Sequence, residues 1–168
     1  MICSCKRSGI IEVIGLCDVS SIDISNLMWT QISIPEVLTL PVQKPNIESI
    51  EKVFENVRII SKRIINTPNS DGVENAEGTM VTGKKLIVEG LLQQKIIYTA
   101  DEPTQPVHSA EFCFPFSAFI IVDSEAEDPN EFCIDVCVED VFVKNTDSRT
   151  IFKNVTLLLN ARPVIAPC

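Results

Sequence analysis

The strongest constraint on this chain is a phase. In residues 81–122, VTGKKLIVEGLLQQKIIYTADEPTQPVHSAEFCFPFSAFIIV, Leu86, Val88, Leu92, Ile96 and Tyr98 all occupy even positions. Side chains of an extended backbone alternate between faces, so these five share one face. Phe112, Phe114, Phe116, Ala118, Ile120 and Val122 repeat the phase, while Glu111, Cys113 and Ser117 point the other way. Between the runs lies DEPTQPVHS, whose two prolines and polar turn formers cannot continue a ladder. The stretch predicts two long strands joined by a loop, with three Phe as a ridge on the buried side.

The flanking sequence extends the pattern. Residues 29–40 alternate up to Pro35, which predicts an edge or short strand. Pro45-Asn46 opens a predicted helix: Asn46 suits an N-cap, Ile47, Ile50, Val53 and Phe54 fall on one helical stripe, and Asn56 ends it. Residues 57–66, VRIISKRIIN, read as a β-branched strand with Arg58, Lys62 and Arg63 on a solvated face. Residues 67–78 and 123–131 are polar loops, and 132–143 with 150–161 form a hairpin over a turn at 145–148. Strands at this spacing predict a mainly β protein, an antiparallel β-sandwich of jelly-roll-like kind with one short α-helix and extended N- and C-terminal arms. The organisation expected is a cysteine-bearing arm at 1–21, one domain at 22–161 and an extended tail at 162–168. The second half of the arm, GIIEVIGLC, can pair as a strand.

A chain of 168 residues with 45% hydrophobic residues can bury one sizeable core. Its net charge of −9 argues against nucleic acid, which needs clustered Lys and Arg, and against an anionic membrane surface. Lys6-Arg7 followed by GIIEVIGLC has the outline of a secretory signal or a lipid-attachment site at Cys17. Glu12 interrupts that apolar run, and no small-x-small cleavage site follows. No apolar run reaches the roughly 20 residues that span a bilayer.

Catalytic and metal chemistry find little footing. The single histidine, His108, could serve Cys113 as a base, but the plainer reading has His108 and Ser109 hydrogen-bonding within their loop. Gly83 and Gly90 precede no helix and read as bulge or crossing positions rather than a phosphate loop. The acidic run Asp123, Glu125, Glu127, Asp128 and Glu131 lacks calcium-loop spacing. Cys3 and Cys5 could reach one metal ion, yet no paired C-x2-C set accompanies them. No catalytic residue, metal ligand or cofactor is assigned, and an enzyme is not expected.

The seven cysteines are the candidate functional residues. Cys3, Cys5 and Cys17 lie in the N-terminal arm, and Cys168 is the last residue. Cys113, Cys133 and Cys137 sit in predicted strands on the outward, polar phase. Cys133 and Cys137 lie about 13 Å apart along one strand, too far to bond each other. Thiols on outward faces and chain ends suit intermolecular disulfides, with Cys113, Cys133 and Cys137 receiving bonds from the arm or tail of a neighbour. Pairing of Cys113 with Cys133 or Cys137 inside one chain stays open.

The same stretch carries a family resemblance. Gly83, Lys84, Leu86, Val88, Glu89, Gly90, Ile97, Tyr98, Val107, His108, Ser109, Pro115, Phe116 and Ser117 follow in an order that resembles the SPOCS domain. The similarity continues upstream through Ile34-Pro35-Glu36 and residues 41–48, and downstream through residues 138–140 and 154–155. It covers roughly residues 29–161. The resemblance implies a setting in spore-forming Clostridia and Bacilli: synthesis in the mother-cell cytoplasm without a signal peptide, then deposition on the spore surface. With the cysteine placement, it leads to the expectation of a self-assembling structural protein of the coat, exosporium or a spore appendage. Its partners would be copies of itself, as fibre or sheet, or other spore-envelope proteins, with no nucleic acid or membrane. The alternative is a monomeric module that docks onto a spore-coat morphogenetic protein. The peptidoglycan-binding module of multi-domain SPOCS proteins has no counterpart here.

Overall fold

The computed structural model describes residues 10–164. Within them run β1 (Glu12–Ile14), β2 (Trp29–Thr39), β3 (Ile47–Asn69), β4 (Thr82–Ala100), β5 (Val107–Ile121), β6 (Phe132–Asn145) and β7 (Thr150–Pro163). The first sheet has the order β1-β3-β4-β5 and the second β2-β7-β6. All pairings are antiparallel except β1 with β3. The two sheets face each other across one core, an open sandwich.

The even-position rows on β4 and β5 produce that core. Leu86, Val88, Leu92, Ile96 and Tyr98 are fully buried, as are Ile120 and Val122. Ile151, Val155, Leu157 and Leu159 of β7 meet them from the other sheet. Tyr98 resolves its polar tip by donating to the Pro45 carbonyl at 3.2 Å.

The Phe ridge is only partly buried. Phe116 is covered, Phe112 is half-buried and Phe114 is 37% exposed. β5 is the edge strand of its sheet and packs over β2, the edge strand of the other, so these rings stand at the open margin of the core. Phe116 lies across Gly90, its register partner: a Cβ built there would sit 2.6 Å from the ring. Opposite Gly90 on its other flank, β3 carries a bulge between Ile59 and Ser61, so this glycine serves a close aromatic crossing beside a bulge.

The predicted helix at Asn46–Asn56 is not there. The described residues contain no α-helix, only the 3-10 turns Val19–Ser21 and Pro129–Glu131. β3 runs through the region, and the register shifts between Ile47 and Ser49 and between Ile50 and Lys52. Each bulge adds one residue to the repeat, so the inward residues become Ile47, Ile50 and Val53. A spacing of three, which imitates a helical stripe, is here a strand bulged twice. Asn46 accepts from the Arg149 guanidinium instead of capping a helix.

The N-terminal segment straps the sandwich. Residues Glu12–Ile14 pair with Lys52–Phe54 of β3. Gly15, with φ of +111°, turns so tightly over the Glu55 carbonyl that no side chain fits there. The Cys17 amide then donates to the Val138 carbonyl of β6 at 3.0 Å. Asn160 donates to the Asp23 carbonyl and Asn26 to the Ala161 carbonyl, both at 2.9 Å, guiding the chain over the second sheet into β2. The described part of the expected arm is therefore folded onto the domain.

Candidate functional site

The cysteines divide according to the sheet they sit on. Cys17 and Cys137 form a disulfide within the chain, with Cα atoms 5.2 Å apart. This corrects the expectation of outward, intersubunit thiols at these positions. Cys137 and Cys133 do lie on the outer phase of β6, but both are buried, at 2% and 3% exposure. At Cys137 the outer face is covered by the strap, a tertiary feature that strand alternation cannot reveal. Cys133 is also disulfide-bonded. Cys113 stands on β5 of the other sheet, so it pairs with neither of them; it is free and exposed. Cys3, Cys5 and Cys168 lie outside the described residues.

Cys113 occupies an open flank. β5 bonds only to β4, and β2 only to β7, so both are edge strands. They pack over each other on the same side of the sandwich. Among the described residues nothing crosses this flank, whereas the strap crosses the opposite one, where Lys62 also donates to the Phe132 carbonyl at 2.5 Å. Val37, Phe114 and Phe119 are exposed along the open flank, with the Lys85 ammonium 4.2 Å from the centre of the Phe119 ring. Each edge strand has one proline, Pro35 and Pro115, the residue that edges tolerate because it cannot donate to a ladder. Edges left bare invite another strand, and prolines limit how far it can zip.

His108 does not meet Cys113. It faces inward beside Tyr98, with ring centroids 6.0 Å apart, while Cys113 faces outward. In the acidic loop, Glu127 pairs with Lys84 at 3.1 Å. No group of three His, Cys, Asp or Glu among the described residues could hold a metal ion.

Sequence reasoning missed a charged cluster inside the core. Lys153 of β7 is fully buried, with its Nζ 2.7 Å from Glu55 Oε1 on β3 and 2.9 Å from Glu36 Oε2 on β2. Gln94 of β4 donates through Nε2 to Glu36 Oε1 at 2.7 Å. Glu55 Oε2 and Gln94 Oε1 accept no hydrogen bond from the protein. Two carboxyls thus share one amine in a medium that penalises charge. Burial pushes the Glu55 carboxyl above its ordinary range; the Lys153 hydrogen bond and charge oppose the rise, and the Glu36 charge adds to it. The sequence did hold a signal. Glu36 lies between Ile34 and Leu38, Gln94 between Leu92 and Ile96, and Lys153 between Ile151 and Val155, each in the apolar phase.

Set against known proteins, residues 46–146 match the family model described as SipL, SPOCS domain. No curated protein matches, and no solved structure does.

Proposed function

The chain belongs to the SPOCS-domain family, and from that membership we propose that it is a structural protein of the spore surface that assembles with copies of itself. The family carries a sporulation-related role. The observation that supports assembly is the open flank: a 15-residue edge strand, exposed Phe side chains and a free thiol in its middle. Edge pairing supplies backbone hydrogen bonds, and oxidation at Cys113 locks the contact. Cys17 and Cys137, held inside the chain, brace the subunit and leave Cys113 as the intersubunit candidate among the described residues. Deposition outside the reducing mother-cell cytoplasm would set these bonds.

A second reading has its own support. Prolines in both edge strands restrict long self-pairing, which suits a monomeric module that accepts one short strand from a coat morphogenetic protein. Electron microscopy of the purified chain, with denaturing gels run with and without reductant, separates the two. Ordered fibres or sheets with a reducible ladder support self-assembly. A clean monomer in both lanes, without ordered particles, refutes it in favour of the docking module.

A further inference from the structure

The buried cluster holds the parts of a condensation site. We propose that Lys153 and Glu36 join spontaneously through an amide bond between their side chains, with Glu55 carrying the proton and Gln94 holding the acceptor oxygen.

The argument starts from placement. Glu36 and Lys153 are direct register partners on neighbouring strands, so their Cβ atoms stand about 5 Å apart. Both side chains turn into the core, at 4% and 0% exposure, and meet head to head. A fixed encounter of this kind turns a bimolecular reaction into a unimolecular one, with effective concentrations of about 10⁵ M or more when alignment is good. All four polar members are withdrawn from bulk water, which would hydrolyse an amide: none is more than 5% exposed.

The reaction needs one proton moved over the 2.9 Å between Lys153 Nζ and Glu36 Oε2, which puts an amine beside a carboxylic acid. The Nζ lone pair of Lys153 attacks the Glu36 carboxyl carbon. The charge that develops on Glu36 Oε1 falls on the Gln94 amide donor, 2.7 Å away, which acts as an oxyanion holder. Glu55, as the acid, gives its proton to the leaving Glu36 hydroxyl and takes the amine proton on Oε1, which lies 2.7 Å from Nζ. The C–N bond forms, the C–OH bond breaks, one water leaves, and Glu55 ends in the state in which it began. No oxidant or cofactor enters the balance.

Glu36 is assigned as the acceptor because only its carboxyl is polarised by an amide donor. Glu55 reaches in from the opposite sheet and accepts the Lys153 hydrogen bond at 2.7 Å, which places it to relay the proton. The product stitches the edge strand β2 to the central strand β7, so the open flank cannot peel away from its sheet.

The test is the intact mass of the purified full chain, reduced and alkylated so that disulfides do not contribute. The expected chain is lighter than its sequence by one water, and Lys153→Met restores the full mass. The two glutamates fall on different tryptic peptides, because Lys52 separates them. Tandem mass spectrometry should therefore find the peptide spanning Lys153 joined to the one containing Glu36. A wild-type chain of full sequence mass overturns the proposal without any variant. A water loss that persists in Lys153→Met, as a succinimide at Asp71-Gly72 would give, also overturns it. A link to Glu55 overturns the assignment of Glu36.

Discussion

Removing the Cys17–Cys137 bond should cost this protein a large part of its stability. The bond closes a loop of 120 residues, from the strap through four long strands to β6. In the chain-entropy treatment a loop of that length contributes about 5 kcal/mol by constraining the unfolded chain, and removal of native disulfides typically costs about 2–5 kcal/mol. For a domain of this size each kcal/mol moves the melting temperature by about 2–4 °C, so the upper figure corresponds to about 10–20 °C. The perturbation is the double variant Cys17→Ala and Cys137→Ala; alanine avoids leaving a hydroxyl buried at position 137. Urea unfolding under oxidising conditions, followed by intrinsic fluorescence, measures the change against wild type. Amide exchange adds a local reading: Glu12–Ile14 and the Cys17 amide should lose protection first, since the strap is then held by three residue pairs and a few hydrogen bonds. A loss below about 1 kcal/mol, with strap amides still protected, would refute the view that the bond holds the strap.

Other predictions are smaller in scope. Gly90→Ala should cost about 1–3 kcal/mol in thermal unfolding, because the new methyl meets the Phe116 ring, and adding Phe116→Leu should recover part of it in a double-mutant cycle. Arg149 donates to the carbonyls of Leu40, Pro41 and Lys44 and to Asn46, so Arg149→Ala should lose about 2 kcal/mol and raise exchange across residues 40–46. The raised Glu55 carboxyl binds its proton more tightly folded than unfolded. Its contribution is therefore complete below the ordinary glutamate range and is lost as pH rises through the folded value, and Glu55→Gln should flatten that part of the stability-pH profile. Cys113→Ser should remove the disulfide-linked species that form through β5 while leaving the unfolding midpoint within about 0.5 kcal/mol of wild type.

The parts of the fold legible in sequence were those governed by a period of two. β4 and β5 follow their even-position rows to the core, and the β6–β7 hairpin falls where Asn145 and its polar successors mark a turn. Residues 47–56 were misread because two bulges change the period without any residue type announcing them. The outward phase of Cys133 and Cys137 holds but their exposure does not; at Cys137 the cover is the strap, which depends on contacts distant in sequence. Glu36, Gln94 and Lys153 each stand in an apolar row, yet a polar residue in such a row reads alone as a local exception. Only the pairing of four strands from two sheets shows that the exceptions coincide.

The strap gives the subunit a valence. With one flank crossed by residues 10–21 and the other bare, two copies meeting edge to edge cover each other's bare flank and leave none for a third. Such a pair is self-terminating, the opposite of a growing array. An assembly longer than two therefore has to be threaded through contacts of another kind.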